Sequence, residues 1–123
     1  MTLLLVLVGG AVGAPARYLT DRALQRRTAS VFPWGTLFVN VVGSLVLGGV
    51  AAAAYAGSAP SWVLTFVGTG FCGALTTFST FGYETVRLLE DGARWEALGN
   101  AVLSLVVGML ACAAGWWGVS ALL

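Results

Sequence analysis

The chain of 123 residues contains no histidine and no lysine, and only 9% of its residues carry charge. A soluble domain normally has charge on about a quarter of its residues, so six arginines and five acids cannot coat the surface of one this size. Without histidine, haem and zinc lose their usual ligand. No carboxylate is expected inside the membrane, which removes the usual proton relay of a pump. A net charge of +1 leaves no basic stripe, so nucleic acid is not expected as a partner. The two cysteines, Cys72 and Cys112, lie far apart inside apolar runs and read as small buried hydrophobes, not as a disulfide or a metal pair. A soluble enzyme, a nucleic-acid binder and a disulfide scaffold are all disfavoured, and no catalytic group is assigned.

What is present is apolar and long. The eleven charges fall in two clusters, Arg17–Arg27 and Glu84–Glu96, and leave three uncharged stretches, the middle one of 56 residues. Since about 20 apolar residues cross a bilayer, the pattern predicts an all-α integral membrane protein, one four-helix transmembrane domain over residues 1–123. The spans fall at about 2–19, 34–55, 61–89 and 95–119. The first resembles a signal peptide, but its arginines follow the apolar run instead of preceding it, so it reads as a retained helix. A polar stretch, Tyr18 to Ser30, follows it. Pro33 and Trp34 open the second span, and Gly57 and Pro60 close it. Ser61 is placed to cap the third, which is too long for a single uninterrupted crossing. Gly68, Gly70 and Gly73 precede a run of hydroxyl residues, and together they weaken the helix, so a break is expected near 75–79. Both arginine clusters follow odd-numbered spans. All six therefore fall on one side, which the positive-inside rule makes cytoplasmic, with both termini outside.

Several polar residues sit where a membrane does not require them. Thr36, Asn40 and Ser44 recur every four residues and share one helix face, and Asn100 and Ser104 do the same in the fourth span. Such side chains can simply hold helices together. Facing one another, they would instead make a narrow track of uncharged donors, able to replace an anion's water and still release it. Phe78 and Phe81 lie three apart after the expected break. Two phenylalanines in a membrane helix are ordinary packing, yet an aromatic ring has a positive edge that can receive a small anion. A broken helix also frees carbonyls that can bind a cation. Small-residue pairs such as Gly9/Gly13 and Ser44/Gly48 allow helices to pack closely.

Three motifs give these features a family. They are Gly10-Ala11-Val12-Gly13-Ala14-Pro15-Ala16-Arg17-Tyr18, Pro33-Trp34-Gly35-Thr36-Leu37-Phe38-Val39-Asn40-Val41-Val42-Gly43, and Gly70-Phe71-Cys72-Gly73-Ala74-Leu75-Thr76-Thr77-Phe78-Ser79-Thr80-Phe81. Across them the chain resembles the Fluc (CrcB) family of fluoride channels. The resemblance implies an antiparallel, dual-topology dimer in a prokaryotic plasma membrane that passively exports fluoride and so relieves its toxicity. Phe78 and Phe81 would turn ring edges to the ion, and Asn40 would line the pore. Thr36, Ser79, Thr80, Asn100 and Ser104 would extend the polar path, with Thr77, Ser79 and Thr80 also completing the crossover and its hydrogen bonding. Backbone carbonyls of Gly73 and Thr76 would hold a structural sodium ion (Na+) at the dimer centre, and Arg17 would sit at a vestibule. One-sided charge fits poorly with insertion in both orientations, so the partner is either a second copy or an oppositely oriented homologue. The alternative readings are a non-conducting membrane assembly subunit or a small multidrug-type transporter.

Overall fold

A computed structural model of the chain describes residues 1–27 and 32–123. Among the described residues five helices follow one another: α1 (Thr2–Arg27), α2 (Trp34–Tyr55), α3 (residues 61–75), α4 (Phe78–Glu90) and α5 (Arg94–Leu122). α3 and α4 together form the third span. Four helical stretches, Thr2–Arg27, Trp34–Tyr55, Ser61–Glu90 and Arg94–Leu122, are long and apolar enough to cross a membrane. Among the described residues the chain is all-helical, with the four spanning-length helices of a multi-pass membrane protein.

α1 runs well past the apolar stretch that predicts it, continuing from about Leu19 to Arg27. Leu24 and Gln25 are good helix formers, and Arg26 and Arg27 in the last turn face the negative end of the helix dipole. Of the polar stretch ending at Ser30, residues 28–30 lie outside the described residues. α2 and α4 both stop at a glycine with positive φ, Gly57 at 76° and Gly92 at 81°. In each case the two amides that follow the last turn fold back. Ser58 N–H reaches the Ala53 carbonyl at 2.9 Å, and Ala93 N–H reaches the Leu88 carbonyl at 2.8 Å. Ser61 does not cap α3. It is the first helical residue, Pro60 holds the cap position without a side-chain bond, and the Ser61 carbonyl accepts the Thr65 hydroxyl at 3.3 Å.

The third span departs from a regular helix earlier than the expected break. Nine residues, Leu64–Cys72, wind as a π-helix. π turns are rare and short, and they recur at functional sites. Here the segment carries Gly68 and Gly70, which weaken any regular helix. α1 packs directly onto it: a methyl added at Gly9 would lie 2.9 Å from the Phe71 amide nitrogen, and one at Gly13 would lie 3.1 Å from the Ala74 methyl. A second close crossing joins α2 to α5. There Gly48 lies against the Cys112 carbonyl, and Gly115 against the Leu45 carbonyl. With Asp21 beside Gly35 and Thr36 bonded to Glu84, both charged clusters meet at the same end of the bundle.

Candidate functional site

The helix interruption falls at Thr76 and Thr77, both extended, with ψ of 160° and 124°. α3 ends because Thr76 turns back on itself: its amide and its hydroxyl both donate to the Cys72 carbonyl, at 2.9 and 2.8 Å. α4 begins because the Thr77 hydroxyl caps it, accepting the Thr80 amide at 3.1 Å. Between these ends Thr77 has no helical partner for its backbone, and Asn40 on α2 supplies both halves. Asn40 Oδ1 accepts the Thr77 N–H at 2.8 Å, and Asn40 Nδ2 donates to the Thr77 carbonyl at 3.1 Å. The residue expected as a pore amide thus spends one donor and its acceptor on holding the break, and keeps a single N–H hydrogen for anything else.

The same geometry frees carbonyls. In an unbroken helix the Gly73 carbonyl would receive the Thr77 amide and the Thr76 carbonyl the Thr80 amide. Those amides go to Asn40 Oδ1 and Thr77 Oγ1 instead. The Gly73 Cα faces open space, with nothing within 4 Å of an added methyl. Two freed oxygens one turn apart on an open face match the carbonyl donors that a hard cation takes.

Two cavities flank the break. A larger one, of about 600 Å³, is bordered by Asn40, Gly73, Thr76, Phe78, Phe81 and Ser104 among others. The Phe78 and Phe81 ring centroids are 5.8 Å apart and inclined at 48°, and Phe78 is 84% exposed. A smaller cavity, of about 160 Å³, is bordered by Arg17, Asp21, Thr36, Thr77 and Thr80. Thr77 borders both. Its hydroxyl lies 3.1 Å from that of Thr80 and 3.4 Å from that of Ser79, which borders neither cavity. Asn100 also borders neither. It is wholly buried between α4 and α5, beneath Ser104.

Three polar residues of this region lie outside the motifs that suggested it. Glu84 sits within the third spanning helix and accepts a hydrogen bond from the buried Thr36 hydroxyl, so a carboxylate does occur in a span, contrary to expectation. Its spacing was the available signal, because Thr77, Thr80 and Glu84 recur at three and four residues along one face of α4. Thr85 joins Asn100 through its hydroxyl. Asp21 Oδ1 is buried beside Gly35 with no hydrogen-bond partner among the described residues, at the positive N-terminal end of α2.

A family model described as "CrcB-like protein, Camphor Resistance (CrcB)" matches residues 4–116. The chain belongs to the CrcB family. Relatives of the chain carry a more specific name. A protein of Frankia casuarinae named "Fluoride-specific ion channel FluC 1" is 57% identical over 120 residues, covering 94% of this chain and 93% of its own length. The protein of the same name in Streptomyces avermitilis is 53% identical over 122 residues, covering 99% of this chain and 98% of its own. A third, from Nocardia farcinica and again of that name, is 61% identical over 105 residues, 85% of this chain and 71% of its own. The CrcB match spans all the elements that build the site, from α1 through the break to the crossing of α2 and α5.

Proposed function

We propose that this CrcB chain is a subunit of a fluoride-selective channel that exports fluoride passively from the cytoplasm and so relieves its toxicity. The observation that carries the reading is the constellation at the break: Asn40 and the rings of Phe78 and Phe81 border one cavity without a fixed cation among its lining side chains. Fluoride is small, strongly hydrated and a strong hydrogen-bond acceptor. Replacing its water takes close-set donors, and releasing it requires that no single one bind tightly. The remaining Asn40 hydrogen, the hydroxyls and the positive ring edges supply weak, multiple partners of that kind. Arg17 at the smaller cavity would concentrate anions, and Thr80 would lead them toward Thr77, with Thr36 lining the path while its hydroxyl hydrogen is held by Glu84.

The exposed Phe78 ring, bordering the same cavity as Asn40, supports a second subunit that would cover it. We take the assembly to be an antiparallel, dual-topology dimer in a prokaryotic plasma membrane. Its second subunit is a copy of this chain or, given the one-sided arginines, an oppositely oriented homologue. Equal cysteine labelling of both termini from both sides of the membrane would remove the homologue. The freed carbonyls of Gly73 and Thr76 fit a structural sodium ion shared between the two breaks. Such an ion supplies a charge that both sets of carbonyls can bind. Protein assembled in N-methylglucamine buffer is expected to lose the dimer and its flux, and both should return on adding sodium; sodium-independent assembly would remove the ion from the picture.

The direct test is fluoride efflux from liposomes containing the purified protein, with chloride as control. No fluoride flux, or equal chloride flux, would sink the channel. Phe81→Ile keeps the apolar bulk and removes the ring edge. It is expected to lower fluoride flux by roughly two- to tenfold, corresponding to the roughly 0.5–1.5 kcal/mol of an aromatic contact beyond its area. Elution as a single species at the native size would show that the fold survives.

A further inference from the structure

A chain of hydrogen bonds runs from the cavity wall to the backbone of α4, and its direction can be read from its last member. The Thr85 hydroxyl donates its only hydrogen to the Phe81 carbonyl at 2.8 Å. Toward Asn100 it can therefore only accept, which it does at 2.8 Å. That requirement turns the Asn100 NH2 to Thr85 and leaves its oxygen for Ser104, whose hydroxyl donates to Asn100 Oδ1 at 3.3 Å. Asn100 is 0% exposed, so no water competes for these positions. Every hydrogen in the chain points away from the cavity. Ser104, the member that borders the cavity, offers it lone pairs and not a proton.

We infer that Thr85 is a positioning residue for anion passage: by fixing the orientation of the buried Asn100 amide, it holds the Ser104 proton on Asn100 Oδ1, from which an anion must compete for it. The inference rests on the channel reading above. The bond to be displaced is the longest of the three, so the Ser104 hydroxyl, its O–H bond intact, can turn its hydrogen bond to an arriving fluoride and return it to the Asn100 oxygen when the ion leaves. Thr85 thereby moderates how tightly the cavity binds, which is the compromise that conduction needs. Glu84, the adjacent residue, bonds to Thr36 and not to this chain.

The test is the fluoride dependence of efflux in the assembled channel. Thr85→Val keeps the shape of the side chain and removes its hydroxyl. The amide is then free to turn over and donate to Ser104, whose hydrogen becomes available to the cavity. The half-saturating fluoride concentration is expected to fall roughly fivefold, the order of one neutral hydrogen bond, with maximal flux falling by a similar factor. Thr85→Ser should restore both values. In a Ser104→Ala background Thr85→Val should change neither, an outcome that general damage to the helix pairing would not produce. Should Thr85→Val fail to assemble, Asn100→Leu removes the same oxygen from Ser104 and is expected to shift both values in the same direction. Unchanged fluoride dependence in these variants, or an equal shift without Ser104, overturns the inference. Absence of fluoride flux from the wild-type protein overturns the channel reading instead.

Discussion

Asn40→Asp is expected to lower fluoride flux by about a hundredfold. Aspartate keeps the oxygen that accepts the Thr77 amide, but it sets a second oxygen against the Thr77 carbonyl, where Asn40 Nδ2 now donates at 3.1 Å. A buried carbonyl left without its donor costs about 1–3 kcal/mol. The second effect is electrostatic: an ionised carboxylate would repel an anion in the adjoining cavity, where little water screens it. The two effects together reach roughly 3 kcal/mol, which is about two factors of ten in rate. Efflux from liposomes measures the flux, and size-exclusion chromatography shows whether the assembly persists. Near-native flux in the aspartate variant would remove Asn40 from both the break and the path.

Gly48→Val should prevent stable folding altogether. At this crossing α2 and α5 touch through backbone, so a side chain at Gly48 would have to displace the Cys112 carbonyl, with the Cys112 Cα itself only 3.1 Å away. The crossing is reciprocal: a methyl added at Gly115 would run into the Leu45 carbonyl and lie 2.9 Å from the Gly49 nitrogen. Overpacking usually costs about 1–3 kcal/mol. Here the obstruction is backbone on both sides, so the cost belongs at the upper end or beyond. The expected result is loss of monodisperse protein in detergent. Gly118→Ala on the same helix meets nothing within 4 Å and should leave the yield of folded protein unchanged. A monodisperse Gly48→Val protein would show that the crossing tolerates separation.

The reach of the sequence varied with the kind of interaction. The ends of α2 and α4 were legible because Gly57 and Gly92 act within a few residues of themselves. The break was legible because Thr76 and Thr77 compete for backbone bonds locally. The length of α1 was not, because hydropathy marks where lipid ends and not where the helix ends. The π-helical segment was missed for a related reason. Glycines announce weakness in a helix, whereas the wider winding accompanies the close approach of α1 through Gly9 and Gly13.

By itself, then, the sequence determined that this is a four-span membrane protein with an interrupted third span and a CrcB-type set of motifs. Hydrophobicity, helix termination and local hydroxyl chemistry all act over a few neighbouring residues. Only the tertiary structure decided which partner each polar group takes. Asn40 pairs with the backbone of a residue 37 positions later, Thr36 with a carboxylate 48 positions later, and Asn100 with a hydroxyl 15 positions earlier. In a medium without water, a polar group must bond to whatever the packing of helices brings within about 3 Å. That choice is made by the crossings at Gly9, Gly13, Gly48 and Gly115, and no periodicity along the chain records it.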